Sequence, residues 1–387
     1  MDILSQEEEF WSVKSRYNWL IQGDRNTRFF HISTLIRRKR NKISSLKDDQ
    51  GNWVRDEHGV VELVRSSFVK LFSSNSVSVP RNHWVISCRP KALSQEEAVE
   101  VATLPTCREI KEGLWSLKLL KAPGLDGLHS RFFQAYWNVV ENTVIKEVKE
   151  IFACFVMPGH LNETLISLIP KRLGVDFLAA FRSISLCNTV YKVLTKLIVK
   201  WMRHLLPNII SPLQMAFVPG KLGLDNMIIA QEILHTISGK RGQMGYMAIK
   251  LDLEKAYDRL EWHFVRDILQ LYKFPEPLTK LILSCISTFS IFVLVNGGKL
   301  DSFLPSRGIR QGDPLSPYLF IMCMEMLGFL IDLKCEENLW DLVKASRNGL
   351  AFSHLFFVNV LVLFAKVDLK NCYNVKETLD TICELSG

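Results

Sequence analysis

The stretch Met247-Ala248-Ile249-Lys250-Leu251-Asp252-Leu253-Glu254-Lys255-Ala256-Tyr257-Asp258 decides how this chain is read. Met247, Ile249, Leu251 and Leu253 alternate with Ala248, Lys250, Asp252 and Glu254. Successive side chains of a strand point to opposite faces, so the alternation predicts a strand over 246–253 with one buried face. Asp252 then stands at the end of that strand, and an aromatic, Tyr257, follows shortly after. Taken alone, a strand-end aspartate is an ordinary surface residue. A second apolar run, Leu355 to Phe364, has the composition of partner strands but contains no Asp.

Size and composition bound the rest. At 387 residues the chain is long enough for two or three domains with real cores. Hydrophobic residues make up 48% and charged residues 23%, which excludes wholesale disorder. The net charge of +8 and pI of about 8.9 are compatible with a nucleic-acid partner without requiring one. The nine cysteines form no C-x-x-C pair, which argues against a zinc module or a disulfide framework and fits a reducing compartment. The N-terminus lacks the form of a signal peptide. Ser353, His354 and Asn359 interrupt the longest apolar run, so it reads as core strands rather than a membrane span. An intracellular protein, nuclear or cytoplasmic, is expected.

Local signals place the elements. Ser5-Gln6-Glu7-Glu8 opens a helix, and a second helix ends in the basic run Arg37 to Lys42. Residues 43–54 read as a hairpin and 57–73 as a helix, with a linker over 74–92. Capping boxes begin at Ser94 and Thr106, the second opening a helix that ends near Leu120. Lys121 to Gly127 must be a loop. Helices follow to Phe155, then a strand over Leu165–Ile169 stopped by Pro170. Leu186–Leu206 and 224–239 are expected as helices, as is 261–273. Residues 287–304 form a hairpin around Gly297-Gly298. Pro317–Leu333 is an apolar helix, and 373–386 is the last one.

Six blocks in order resemble the reverse transcriptase of non-LTR (LINE-type) retrotransposons, plant members especially. They are Lys121-Ala122-Pro123-Gly124-Leu125-Asp126-Gly127, Leu168-Ile169-Pro170-Lys171, Phe181-Arg182-Ser183-Ile184-Ser185-Leu186, Gln214 to Lys221, Leu251 to Asp258, and Gly308-Ile309-Arg310-Gln311-Gly312-Asp313-Pro314-Leu315-Ser316-Pro317. The resemblance implies an α+β right-hand polymerase fold, with helical fingers over 91–245 and a palm with a mostly antiparallel sheet over 246–387. Residues 1–90 would be a helical extension joining endonuclease and polymerase. The chain stops soon after the third palm motif, so the thumb is expected to be absent. The implied reaction is RNA-templated DNA synthesis, with an RNA template, a DNA primer, deoxynucleoside triphosphates and two Mg²⁺ ions.

Individual roles follow from the same resemblance. Asp252 would be the catalytic metal ligand, because phosphoryl transfer needs ions that clamp the attacking and leaving oxygens. Lys171 and Arg182 would grip the triphosphate, one as a point charge and one as a bidentate fork. Tyr257 would crowd a ribose 2′-OH, or be a core aromatic. Gln311 and Gly312 would support the incoming nucleotide, with Gly312 allowing close backbone approach. Gly124, Asp126 and Gly127 would lie near the template, or simply make a tight connection. Glu254 and Asp258 are expected to be solvent-facing or structural. Arg37 to Lys42 suits RNA phosphates, and equally a wet helix face.

The chain departs from the family at the third palm motif. The family has Phe-Ala-Asp-Asp where this chain has Phe357-Val358-Asn359-Val360. Asn359 offers a neutral carbonyl oxygen and Val360 offers a metal nothing. Asp252 is left as the assignable carboxylate, and polymerisation is expected to be lost or nearly so. Ser183 also replaces a usual proline. The rival readings are a non-catalytic nucleic-acid-binding remnant and a product without function. Leu355 to Phe364 would be an aggregation hazard if exposed.

Overall fold

The computed structural model describes residues 27–74, 91–240, 245–344, 349–357 and 360–387, with Gln6, Phe10, Trp11 and Lys14. Most of the helix expected from Ser5, nearly all of the 74–92 linker, and Asn359 lie outside the described residues. The observed architecture is the expected mixed α+β one. The strands are β1 (Leu46–Lys47), β2 (Trp53–Val54), β3 (Thr164–Pro170), β4 (Phe181–Cys187), β5 (Tyr246–Asp252), β6 (Ile291–Val295), β7 (Gly298–Lys299), β8 (Val343–Lys344), β9 (Ala351–Phe352), β10 (His354–Phe357) and β11 (Val360–Lys366).

Two sheets carry the argument. One has the order β10-β11-β5 and is antiparallel throughout. The other has the order β4-β3-β6-β7, with β3 and β6 running parallel. The alternation in β5 does what it predicts. Met247, Ile249 and Leu251 join Leu361, Leu363 and Ala365 of β11 against the main core, while Lys250 and Asp252 face outward. The β10–β11 run that threatened aggregation is folded away, with Leu355, Phe356, Leu361, Leu363 and Phe364 buried.

The helix Ser316–Glu336 lies against that core. Pro at its first turn suits an N-terminus, where a missing N–H costs nothing, and most of its first three turns are buried. Both capping boxes form. Ser94 and Thr106 each accept from the backbone N–H three residues on, and Glu97 and Glu109 accept in return. The second of these helices ends at Trp115 rather than near Leu120. Residues 181–187 are strand β4, and the following helix runs Thr189–Arg203, so the helix expected from Leu186 starts later. An unexpected helix, Glu276–Ser287, packs on Trp262–Leu271. A smaller core joins Val60, Val64 and Phe68 of helix Glu57–Phe72 to Ile166, Ile291 and Val293, tying the N-terminal part to the β3/β6 sheet. No helix among the described residues is long and apolar enough to cross a membrane.

Two ionisable groups are buried where Ser316–Glu336 meets the chain around Ser211 and strand β10. Burial pushes the Glu325 carboxyl up to about 7, although it accepts from Ser211 N at 2.9 Å. Burial pushes His354 down to about 4. The two act in opposite directions. A carboxyl whose folded pKa is raised loses stability as pH rises from its unfolded value through about 7, and the imidazole loses stability as pH falls below its unfolded value towards 4. Glu325→Gln removes only the first dependence. Its thermal or urea stability relative to the parent is therefore expected to improve between pH 5 and pH 8, by on the order of 2 kcal/mol. Parallel pH curves for the two proteins would contradict this.

Candidate functional site

The end of β5, the turn after it, the β3–β4 hairpin and the loop before Ser316 converge on one cavity of about 590 Å³. Its lining includes Lys171, Arg182, Asp252, Tyr257, Gln311 and Gly312, all six residues proposed from sequence for nucleotide and metal. Glu254, Lys255 and Asp258 line it too.

Each side chain is placed by a definable cause. Arg182 sits on β4 opposite Ile169 with its side chain exposed, and Lys171 leaves β3 just after Pro170. The Lys171 ammonium donates to the Ala179 carbonyl at 3.3 Å, across the mouth of the hairpin. The Tyr257 ring stacks on Phe320 at 4.6 Å and 18°, which fixes its plane. Burial raises its hydroxyl to about 12, so it stays protonated. Asp258 is buried, and burial pushes its carboxyl up to about 6, with Lys255 pulling it down. The Ser183 hydroxyl donates to Asp258 Oδ2 at 3.5 Å, a contact proline could not make.

The loop that presents Gln311 and Gly312 is held from below. Arg310 and Asp313 are buried, while the two residues between them are exposed. Arg310 donates through Nη1 to Asn162 Oδ1 at 2.9 Å and Thr164 Oγ1 at 3.0 Å, and through Nη2 to the Cys285 carbonyl at 2.8 Å. Its guanidinium lies 4.0 Å from the Tyr191 ring centroid and 3.5 Å from Asp313 Oδ2. The Tyr191 hydroxyl donates to Asp313 Oδ2 at 2.5 Å, and Leu315 N donates to Oδ1 at 2.9 Å. Gly312, at φ +119°, comes so close to β4 that a Cβ would stand 2.8 Å from the Ser185 carbonyl oxygen. Ser185 N donates to the Gln311 carbonyl at 2.8 Å, so the loop is sewn to that strand.

The third palm motif is placed by its register. Val360 of β11 pairs directly with Asp252 of β5. Residues opposite each other in an antiparallel ladder share a face, with Cβ atoms about 4.5–5.5 Å apart. Hydrocarbon therefore stands beside Asp252. No group of three His, Cys, Asp or Glu among the described residues could hold a metal ion. The donors among the described residues do not fit a two-ion site.

The predicted template residues lie apart from this cavity's lining. Gly124 packs on the start of helix Thr189–Arg203, where a Cβ would meet Asn188 Oδ1 at 2.2 Å. Asp126 N donates to that same Asn188 Oδ1 at 3.3 Å, and burial raises the Asp126 carboxyl. Gly127 takes φ +71° in the same turn. The basic run lines a different and larger cavity, about 880 Å³, where Lys14, Arg37, Arg38, Lys39 and Lys42 face Ser167, Leu294 and Asn296 of the β3/β6 sheet. Sequence reading missed Lys255 as a lining cation and Arg310 as an anchor. Lys255 could have been noticed from its place in the turn between Asp252 and Tyr257.

Comparison with known proteins agrees with this geometry. The sequence model of the family described as Reverse transcriptase (RNA-dependent DNA polymerase) matches residues 169–357. The chain is 28% identical over 313 residues to the Transposon TX1 uncharacterized 149 kDa protein of Xenopus laevis, covering 81% of this chain and 24% of that protein. It is 25% identical over 373 residues to the retrovirus-related Pol polyprotein of the R2DM element of Drosophila melanogaster, covering 93% of this chain and 33% of that protein. An uncharacterized mitochondrial protein of Arabidopsis thaliana, AtMg01250, is 41% identical over 71 residues, 18% of this chain and 58% of that protein. The chain thus spans about a quarter to a third of the length of the first two relatives. Residues 169–357 thus resemble a reverse transcriptase domain, and the chain is similar to proteins of a transposon and of a retrotransposable element.

Removing one partner of a buried ion pair typically costs about 3–5 kcal/mol, because the other charge is left uncompensated. Arg310→Met and Asp313→Asn are each expected to lower urea-unfolding stability by about that much. The double variant Arg310→Met/Asp313→Leu is expected to recover a large part of the loss. Single variants within 1 kcal/mol of the parent would show that the loop does not depend on this pair.

Proposed function

We propose that this domain binds a deoxynucleoside triphosphate and a primer–template as an RNA-directed DNA polymerase does, with polymerisation itself impaired. The observation that carries the nucleotide reading is the convergence of Lys171, Arg182, Asp252, Tyr257, Gln311 and Gly312 on one cavity. Lys171 and Arg182 would hold the phosphates. Gln311 and the Gly312 backbone would support the sugar and base. Tyr257, fixed by its stack on Phe320, would screen the 2′ position. Residues 91–245 are assigned to fingers and 246–387 to palm. The Arabidopsis match supports a plant-type element.

The impairment rests on the register between β5 and β11. The family uses divalent ions, Mg²⁺ by its usual chemistry, and Asp252 is the surviving carboxylate at that place. Mg²⁺ prefers carboxylate and phosphate oxygens, and the Val360 side chain supplies neither. Even at an effective dielectric of 20, each missing charge is worth on the order of several kcal/mol against a divalent ion at 4 Å. Each 1.36 kcal/mol of barrier is about tenfold in rate.

A second reading, polynucleotide binding without synthesis, is favoured by the basic cavity. Lys14, Arg37, Arg38, Lys39 and Lys42 line it, and among the described residues no carboxylate does. The Gly124–Gly127 turn would then guide the template. If all five cations meet phosphates of single-stranded RNA, the logarithm of the binding constant falls against that of salt with a slope of roughly −3.5.

The decisive comparison is primer extension on an RNA template by this chain and by Asn359→Asp/Val360→Asp. Extension is expected only from the restored protein, at a rate on the order of a thousandfold or more above the parent. Robust Asp252-dependent synthesis by the unmodified chain would refute the impairment. Facing aspartates repel, so the melting temperature of the restored protein should rise with added Mg²⁺ more than that of the parent.

A further inference from the structure

A patch of apolar side chains lies on the surface where helices Ser130–Ala135 and Trp137–Cys154 meet. These helices bury one stripe, Phe133, Trp137, Val144 and Val148, in the main core. Phe132, Tyr136 and Val139 recur at i, i+4 and i+7, about 100° round from that stripe, and form a second one that stands exposed. Tyr136 is 58% and Val139 78% exposed, and the Phe132 and Tyr136 rings lie 5.4 Å apart. One apolar stripe is enough to fold a surface helix, so a second, water-facing row calls for a partner.

The loop before these helices adds to the patch. Leu119, Leu120 and Leu128 are exposed as well. Ser130 Oγ donates to the Lys118 carbonyl at 2.8 Å, Arg131 N to the Leu119 carbonyl at 3.3 Å, and His129 Nδ1 to the Lys121 carbonyl at 2.8 Å. These bonds tie 118–121 to the start of Ser130–Ala135, so the leucines are held beside the aromatic ridge. The charge around the ridge is mostly positive. Lys118 and Lys121 are exposed on the tied loop, and Lys111 stands 5.3 Å from the ring of Trp115, itself exposed. The carboxylates nearby are engaged or turned away. Glu112 pairs with Arg108 at 2.8 Å and with Lys200 at 3.1 Å, and Asp126 accepts from Leu128 N at 3.0 Å. Glu141 comes two residues after Val139, which puts it on the other side of the helix.

We propose that this ridge is the docking surface for an amphipathic helix of another protein, one whose own apolar stripe is flanked by acidic residues. Spacing and charge name the occupant. A row at i, i+4 and i+7 is a ridge that fits the groove of a second helix. Carboxylates beside that helix's stripe meet Lys111, Lys118 and Lys121. A second copy of this chain would instead bring the same cations face to face. A polynucleotide would satisfy the cations but set Leu119, Leu120, Leu128 and Val139 against charged phosphates. None of these side chains lines the nucleotide cavity, so docking does not depend on what binds there.

The test uses the full chain as bait for a display library of randomised helical peptides, each of about 18 residues or five turns. Peptides that hold the parent but not Tyr136→Ser/Val139→Ser are collected. Both substitutions are at exposed positions, and the melting temperature checks that the variant folds. The collected peptides are expected to carry an apolar row at helical spacing and a net negative charge. In fluorescence anisotropy the tightest of them is expected to lose about tenfold or more in affinity for Tyr136→Ser/Val139→Ser. It is expected to lose about tenfold for Lys118→Glu/Lys121→Glu at low salt. A library that yields no peptide able to tell the parent from the serine variant, or yields only basic ones, overturns the docking surface. Two further results overturn it in favour of another occupant. Flotation with phosphatidylserine vesicles that is lost in the serine variant, without peptide binding, assigns the ridge to a bilayer. A dimer found by analytical ultracentrifugation in the parent and absent from the serine variant assigns it to a second copy.

Discussion

The buried contact between Arg310 and Asp313 is the constraint on which the site depends. A guanidinium and a carboxylate 3.5 Å apart in the interior are stable only if their remaining hydrogen-bonding groups are met. Here Asn162, Thr164, Cys285 and Tyr191 meet most of them, and they come from three separate parts of the chain. Holding those parts together fixes β3, the helices that begin at Thr189 and Glu276, and the loop before Ser316 relative to one another. Gln311 and Gly312 are exposed because the residues on either side of them are anchored inward. The cavity is thus a consequence of a polar knot beneath it rather than of its own lining.

The same rigidity fixes what stands opposite Asp252. β5 and β11 pair over seven residues, from Val360↔Asp252 to Lys366↔Tyr246. One face of that ladder is committed to the main core, and a slip of one residue would turn that apolar face outward. Val360 is therefore locked beside Asp252. The cations, the stacked aromatic and the glycine loop all line the cavity beside this pairing. The shape of this pocket is set by the core and the buried ion pair, so it does not depend on what stands opposite Asp252.

Much of this was legible in the residues. The alternation of 247–253 gave the strand and its buried face, and both capping boxes marked true helix starts. The site residues were recognisable because their blocks occur in a family's order, which periodicity alone would not have revealed. What was missed has particular causes. β4 hides its period because two of its buried positions are Ser183 and Ser185, so the inward face reads as polar. The helix from Glu276 begins with a proline on either side, which reads as a break although proline fits a first helical turn. The burial of Arg310 could not be inferred from sequence, because the groups that satisfy it lie far away along the chain.

The central claim is that the cavity retains its nucleotide-binding parts while the metal site beside Asp252 has lost one wall. Manganese binding, followed by electron paramagnetic resonance with deoxythymidine triphosphate present, tests it most directly. The account predicts that Val360→Asp gains a tightly held Mn²⁺ ion that the unmodified chain does not hold, and that Asp252→Asn in the same background removes it. Two Mn²⁺ ions bound equally tightly by the unmodified chain and by Val360→Asp would contradict it.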